Sequence, residues 1–377
     1  MQKELNTNLI KERLSHYGYN QSSISKELVV SREAVSQWLK NKSFPKPSKL
    51  LMLSKILNLK FDEITLQKEL PIPKISFRKV GNVKTKKKHI QVAQQMGFAL
   101  REITEYLPSE MMIKPSELKQ PVNEYSYIQK IVNLVRKKYN ITEDRLNFKE
   151  VISILNSFNV ILIPQLLGTK NQHENALHIY LPDSQTTWVF INLDTKIFDF
   201  KFWLSHELGH ILTPSLEDKK AEDFADNFAG AFLFPSNLAE ENYFKIKAIR
   251  GIYKKIDYTI KIANQLIISP ITIYKEINKF AEFRKLPGIN LEPHIFKATT
   301  NFTKKYKLMS RHLFKDEKPD AETYIKTVEE KYETIFFKLL EKLYLAKGLT
   351  EGYIKTVMNL PITDAKEIYK YIVNGTK

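Results

Sequence analysis

Two histidines separated by three residues constrain this chain most, in the run His206-Glu207-Leu208-Gly209-His210. On a helix, side chains four residues apart project from one face with Cβ atoms about 6 Å apart, which lets both imidazoles bind one Zn²⁺ ion. The glutamate after the first histidine then lies beside the ion, where it can take a proton from a water molecule that the ion activates. The run predicts a metal-bearing helix with His206 and His210 as ligands and Glu207 as catalytic base.

A third ligand is expected on a second helical stretch, which reaches Glu222 twelve residues after the second histidine. The acidic side of this stretch also carries small side chains, because Glu222 and Asp226 share it with Ala225 and Ala229. Small side chains let two helices lie close together. Glu222 is therefore predicted to reach the metal, while Asp226, one turn further on, hydrogen-bonds the far nitrogen of a ligand histidine.

Three protein ligands leave one coordination position open, as in catalytic zinc sites and unlike structural ones. Asp223 and Glu217 are alternative third ligands. Peptide hydrolysis also needs a donor that stabilises the oxyanion, and His173 and His178 are candidates by residue type.

The composition restricts the cellular compartment and the kinds of catalytic and metal site that we expect. The chain has 377 residues, 43% of them hydrophobic, and no cysteine. It is long enough for two or three domains, and the lack of cysteine excludes disulfides, Cys-ligated zinc and thiol catalysis. Residues 1–8 do not resemble a secretion signal, and no apolar run is long enough to cross a bilayer. We expect a cytoplasmic protein without a membrane partner.

The net charge of +17 favours a polyanionic partner, nucleic acid first. The alternative is a lysine-rich surface that is simply solvated, because net charge bears on association and not on fold.

Residues 4–70 have the pattern of four or five short helices. Ser31 is a good N-cap for the third, on which Ala34, Val35 and Leu39 face inward. Two short helices joined by a tight turn, with polar residues exposed on the second, are the plan of a helix-turn-helix. This pattern predicts double-stranded DNA as a partner.

The same segment resembles the phage-repressor (Cro/C1, XRE-type) helix-turn-helix. The resemblance is carried by Gln21, Ile24, Ser25, Val30, Ser31, Val35, Gln37, Trp38, Asn41 and Pro45. It implies that Arg32, Glu33 and Gln37 read base edges and that Gln21 contacts a phosphate, with Ser36 also facing outward. Arg to guanine and Gln to adenine are chemically suitable pairs. Such units usually read two-fold sites, which favours a homodimer. A domain kept only for protein contacts is the alternative.

The remaining chain is predicted to be α+β. Residues 71–123 are interpreted as a connector with a basic cluster at Lys84, Lys86, Lys87 and Lys88 and a helix near 90–107. Helices are expected at 127–138 and 148–158 and strands at 160–163, 176–181 and 188–192. Asp194 or Thr195 is expected to cap the metal-bearing helix. Apolar residues at helical spacing predict further helices up to the C-terminus, and their sequence does not indicate a function.

Beyond the first domain, the chain resembles the ImmA/IrrE-type metallopeptidases. The resemblance is carried by the HELGH run, by Glu222, Ala225, Asp226, Phe228, Ala229, Leu233, Phe234 and Pro235, and by Phe77-Arg78 in the connector. It implies zinc ligands His206, His210 and Glu222, the base Glu207, and an orienting Asp226 as in gluzincins. It also implies a protein substrate, a repressor, whose cleavage relieves repression of stress, prophage or mobile-element genes.

Together these patterns predict a mostly α protein with a small β-sheet. The domains expected are a helix-turn-helix at 1–70, the connector at 71–123, a zincin-like metallopeptidase domain at 124–290 and a helical region at 291–377. The favoured function is a DNA-binding regulator with a narrow-specificity zinc peptidase. The alternatives are a non-proteolytic regulator whose peptidase-like domain senses a metal, ligand or partner, and a toxin–antitoxin or phage-defence component.

Overall fold

The chain forms two compact units, Met1–Ile72 and Pro73–Lys377, in a computed structural model. The structure describes residues 3–67, 71–79, 87–112, 117–167, 174–316 and 318–375. Helices dominate both units and the sheets are small, so the predicted fold class, mostly α with a small β-sheet, is confirmed.

The first unit is a bundle of short helices closed by a two-stranded ribbon. Strands β1 and β2 pair in antiparallel fashion and bring the two ends of the unit together. The core contains Ile10, Ile24, Val35, Leu50 and Leu57. The elements are β1 Lys3–Leu5, α1 Thr7–His16, α2 Gln21–Glu27, α3 Arg32–Trp38, α4 Pro47–Ile56, α5 Phe61–Ile64 and β2 Thr65–Gln67.

Side-chain caps begin both helices of the helix pair α2 and α3. Asn20 caps α2, and Ser31 caps α3 by accepting a hydrogen bond from the backbone N–H of Ala34 (3.1 Å), which confirms the predicted cap. Between the two helices, Val29 has a φ of +50° and its side chain is 75% exposed. A β-branched residue is strained in this left-handed conformation, and an exposed side chain offers little packing in return.

Replacing Val29 by glycine is expected to stabilise the turn. Removing the Cβ relieves about 1–2 kcal/mol of left-handed strain, and part of this gain is lost to the greater freedom of glycine in the unfolded chain. We expect a net gain of about 0.5–1 kcal/mol, seen as slower hydrogen exchange of the α2 and α3 amides in the full chain. Val29→Ala keeps the Cβ and is expected to gain much less. Equal gains for both variants would contradict the strain argument.

The second unit consists of helices packed around a four-stranded sheet. Its elements are β3 Lys74–Lys79, α6 Lys87–Thr104, a short 3-10 helix Ser109–Met112, α7 Tyr125–Lys138, α8 Phe148–Ser157, β4 Val160–Gln165, β5 Glu174–Leu181, β6 Thr186–Asn192, α9 Ile197–Leu212, α10 Asp218–Leu233, α11 Ser236–Ala248, α12 Ile252–Leu266, α13 Pro270–Phe283, α14 His294–Lys304, α15 Met309–Leu313, α16 Ala321–Tyr332, α17 Phe336–Lys347, α18 Glu351–Met358 and α19 Ile362–Gly375.

The sheet has the order β3-β5-β6-β4. Strands β4 and β6 are parallel, and the pairs β3–β5 and β5–β6 are antiparallel. The three predicted strands lie within β4, β5 and β6 and are confirmed. Strand β5 of this sheet lies against α9, and α9 is the helix that follows β6 in the chain.

The prediction that residues 71–123 form a separate connector is wrong. Its strand β3, which contains Phe77 and Arg78, pairs with β5 at the edge of the sheet, and α6 buries Ala93, Met96 and Leu100 in the core of the second unit. Pairing across about one hundred residues leaves no local sequence signal, which explains the error. Of the basic cluster, Lys84 and Lys86 lie outside the described residues, whereas Lys87 and Lys88 are exposed at the start of α6.

The predicted boundary near residue 290 is also absent, because the C-terminal helices pack on the same sheet. Thr334 donates a hydrogen bond to the carbonyl of Leu162, and Gln165 Nε2 donates to the carbonyl of Met358 (2.6 Å). Residues 291–377 therefore share one core with the predicted peptidase domain.

The predicted cap of α9 is wrong. The N-cap position is Lys196, and no side chain caps this helix end. Asp194 instead accepts a hydrogen bond from Ser310 Oγ (2.6 Å), and Thr195 Oγ1 donates to the carbonyl of Asn192 (3.1 Å). The carboxylate of Asp194 therefore makes a tertiary contact with Ser310 and does not cap α9.

Candidate metal centre and DNA-binding surface

Helices α9 and α10 lie unusually close together at Gly209. A Cβ atom built on Gly209 would be 2.8 Å from the Cα of Ala225, closer than real Cβ atoms come. Ala225 and Ala229 are fully buried, and Phe224, Phe228 and Phe232 are buried on the other side of α10. The small, acidic side of α10 thus faces α9, as its sequence predicted.

Three side chains converge between these helices. The Nε2 atoms of His206 and His210 are 2.9 Å apart. Glu222 places one carboxylate oxygen 3.6 Å from His206 Nε2 and the other 3.3 Å from His210 Nε2. Within the described part of the chain, His206, His210 and Glu222 form a group that could hold a metal ion. Their potential ligand atoms all lie within 4.8 Å of one another.

The spacing fits a small divalent ion. Ligands about 2.0–2.1 Å from a tetrahedral Zn²⁺ are about 3.3 Å from one another. Both carboxylate–imidazole separations are close to this edge length, and the imidazole pair is a few tenths of an ångström shorter. The donor set of two imidazoles and one carboxylate matches that of catalytic zinc sites, in which a fourth position serves water or substrate.

Asp226 fixes the orientation of the first histidine. The Nδ1–H of His206 donates to Asp226 Oδ1 (2.9 Å), so the Nε2 lone pair of His206 faces His210 and Glu222. His206 is 1% exposed, and a buried imidazole needs such a partner on each nitrogen.

The alternative third ligands lie elsewhere. Asp223 accepts a hydrogen bond from Lys219 Nζ (2.8 Å), and the carboxylate of Glu217 is 3.6 Å from Lys74 Nζ. Glu217 is largely exposed and Asp223 is half-exposed, whereas Glu222 is directed at the histidine pair. His173, a candidate oxyanion donor, lies outside the described residues.

Glu207 is buried next to the two candidate ligand histidines. It is 2% exposed, and its Oε2 is 3.1 Å from Nδ1 of His178 on β5. Burial by itself raises the pKa of Glu207, but the hydrogen bond from His178 and the charges of His178, His210 and His206 outweigh it and lower the pKa to about 2. The carboxylate is therefore ionised at neutral pH.

The contact of His178 with Glu207 is a feature that sequence reasoning missed. His178 was a candidate oxyanion donor by type, but its position beside Glu207 joins β5 to α9, and no local pattern predicts that pairing. Its side chain is 13% exposed and its ring centroid is 6.0 Å from that of His210. His178 thus holds one oxygen of Glu207 and leaves the other available.

The predicted DNA-reading side chains lie on the outer face of α3. Arg32, Glu33 and Gln37 are exposed, and Ser36 is half-buried. Gln21, the first residue of α2, is also half-buried. Val35, Trp38 and Leu39 hold the inner face of the helix against the core. The spacing of inward and outward residues on α3 agrees with the prediction.

Comparison with known proteins matches residues 9–64 to the family described as "Helix-turn-helix". This segment is a helix-turn-helix domain. The match supports a DNA-binding transcription regulator and double-stranded DNA as a partner. No curated protein and no solved structure matches the chain.

None of these comparisons supports the resemblance to ImmA/IrrE-type metallopeptidases, so the assignment of a candidate metal centre depends on the geometry of the three side chains. Among the described helices, none combines the length and the apolar character needed to cross a membrane.

Proposed function

We propose that this chain is a transcription regulator that binds double-stranded DNA as a homodimer and cleaves a repressor or regulatory partner with a zinc-dependent peptidase centre. The observation that carries the peptidase proposal is the convergence of His206, His210 and Glu222 beside the buried carboxylate of Glu207. The helix-turn-helix domain carries the DNA-binding proposal.

Each side chain of the centre has a defined task in this proposal. A zinc ion held by His206, His210 and Glu222 would supply Lewis-acid polarisation of the scissile carbonyl and of a water molecule. Glu207 takes the proton of the attacking water and returns it to the leaving amine. His178 holds Glu207 in place, and Asp226 keeps the Nε2 of His206 directed at the ion.

Glu207 favours a peptidase over a metal sensor. Metal binding requires the three ligands alone, and a buried carboxylate that does not ligate is costly to maintain in a purely structural site. A regulator that senses a metal or a partner without cutting is the outcome to be separated from this one by experiment.

The metal proposal predicts one zinc ion per chain in native mass spectrometry of the purified protein. Glu222→Gln is expected to weaken zinc binding by about 100-fold or more, because it removes one of three ligands. Asp223→Asn is the matched control, since it neutralises the adjacent acid, which pairs with Lys219. Equal affinities of the two variants, or a wild-type protein that binds no divalent ion, would contradict the assignment.

The DNA-binding proposal predicts separate losses for the side chains of α3. Arg32→Ala and Gln37→Ala are each expected to cost about 1–3 kcal/mol on the best duplex selected from random sequence, with relaxed preference at one base pair. Fluorescence anisotropy measures this. Lys55→Ala, an exposed charge removal on α4, is the control and leaves base preference unchanged. Variants of α3 that retain wild-type affinity and preference would exclude base reading by this helix.

A further inference from the structure

A second site lies on the second unit, where α7, α11 and α13 enclose a cleft of about 540 Å³. This volume is within the range of small-molecule sites, about 300–1,000 Å³. One wall is a polar stripe on α7, formed by Ser126, Lys130, Asn133 and Lys137. Their spacing of four, three and four residues places them on one helical face.

The charges at this cleft are mainly positive. Lys130 and Lys137 line it from α7, and Arg284 lines it from the end of α13. Glu240 on α11 is the acid in the lining. Within the described part of the chain, none of the three cations forms an ion pair, so their charges remain available to an anion.

A buried amide donor of the cleft lacks a partner. The Oε1 of Gln129 accepts a hydrogen bond from the backbone N–H of Ser236 (2.9 Å), which fixes the orientation of the amide. Its Nε2 is buried and has no hydrogen-bond partner, although the residue is only 6% exposed. The hydroxyl of Tyr125, one turn earlier on α7, is likewise buried without a partner. Buried donors are normally paired, so these two call for an acceptor.

The helix end and the aromatic residues complete the cleft. Ser236 begins α11, and its N–H is bonded to Gln129, whereas the N-cap residue, Pro235, has no side chain that could bind the next N–H groups of the helix. The rings of Tyr125 and Phe283 are 5.0 Å apart, and Phe283 and Leu134 are 51% and 55% exposed at the cleft. A helix N-terminus with cations attracts a phosphate, and exposed aromatic and aliphatic side chains suit a flat apolar group.

We propose that this cleft binds a phosphate-bearing small molecule with an aromatic group, of the class of a mononucleotide. The phosphate lies between Lys130, Lys137 and Arg284, and an acceptor on the ligand takes the Nε2 hydrogens of Gln129. The half-exposed Phe283 ring packs on the aromatic group of the ligand.

Calorimetric titration of the full chain at constant ionic strength tests this site with AMP, adenosine and inorganic phosphate as probes. We expect AMP to bind more tightly than either fragment. Lys137→Gln should weaken AMP binding about three- to tenfold, and Glu240→Gln should strengthen it by a similar factor, because the two variants change the cleft charge in opposite directions. Lys138→Gln is the matched control, since its Nζ lies over the rings of Tyr139 and Phe158 instead.

Gln129→Leu adds a test of the buried donor. It should weaken AMP binding, because the Nε2 donor is lost. Leucine also removes the acceptor of the Ser236 N–H and is expected to lower the thermal transition, so binding is measured well below that transition. Binding of phosphate as tight as that of AMP would identify free phosphate as the source of the anion and overturn the aromatic part. The proposal would be overturned if none of the three probes binds, or if Lys137→Gln and Lys138→Gln have equal effects. It would also be overturned if a DNA duplex, titrated in the same way, binds while AMP does not.

Discussion

Glu207→Gln is expected to keep its zinc and to lose peptide hydrolysis by about 10³-fold or more. The substitution preserves the size of the side chain but removes the base that accepts the proton of water, and a positioned acid–base group contributes about 10²–10⁴-fold. It also removes the negative charge that the hydrogen bond from His178 stabilises. Glu207 is not one of the three proposed ligands, so metal content should stay at the wild-type level.

The measurement is incubation of zinc-loaded protein with a repressor encoded beside it, with fragments identified by mass spectrometry. The wild type is expected to produce one cleavage, and Glu207→Gln none at the same zinc content. Asp223→Asn, which changes an acid paired with Lys219, should cleave like the wild type. If the wild type cuts no partner in any metal state while DNA binding persists, the non-proteolytic regulator becomes the correct reading.

Helical periodicity predicted the parts of the centre that lie on one helix or on two successive helices. His206 and His210 share a face because they are four residues apart, and Ala225 with Ala229 marked the face of α10 that approaches α9. Glu222 then follows from the same face as these alanines. In the first unit, the Ser31 cap and the inward Val35 were predicted for the same local reason.

Contacts between distant segments were not predictable in this way. Strand β3 joins the sheet through β5, and His178 reaches Glu207 from that same strand. The C-terminal helices reach the sheet through Thr334 and Tyr324, whose partners on β4 are about 160 residues or more away. Such contacts depend on tertiary packing, which hydrophobic periodicity does not encode.

Gly209→Ala is expected to damage the metal centre without touching a ligand. The added Cβ would lie 2.8 Å from the Cα and 3.1 Å from the Cβ of Ala225, and neither atom can move unless α10 moves. Ordinary contact begins near 3.4 Å, so α10 must shift by about 0.6 Å. Glu222 lies on the adjacent turn and shifts with it, whereas metal–ligand distances tolerate only about 0.2 Å. We expect a zinc affinity lower by about tenfold or more.

The same variant should also lower the free energy of unfolding by about 1–3 kcal/mol, because overpacking outweighs the helix propensity that alanine adds. Gly352→Ala separates these effects. Gly352 also lies in a helix, α18, but a Cβ there meets its nearest atom at 3.7 Å, so the substitution adds propensity without a clash. Zinc titration and urea unfolding of both variants decide the matter. If Gly209→Ala binds zinc as tightly as Gly352→Ala does, the close approach of α9 and α10 does not set the position of Glu222.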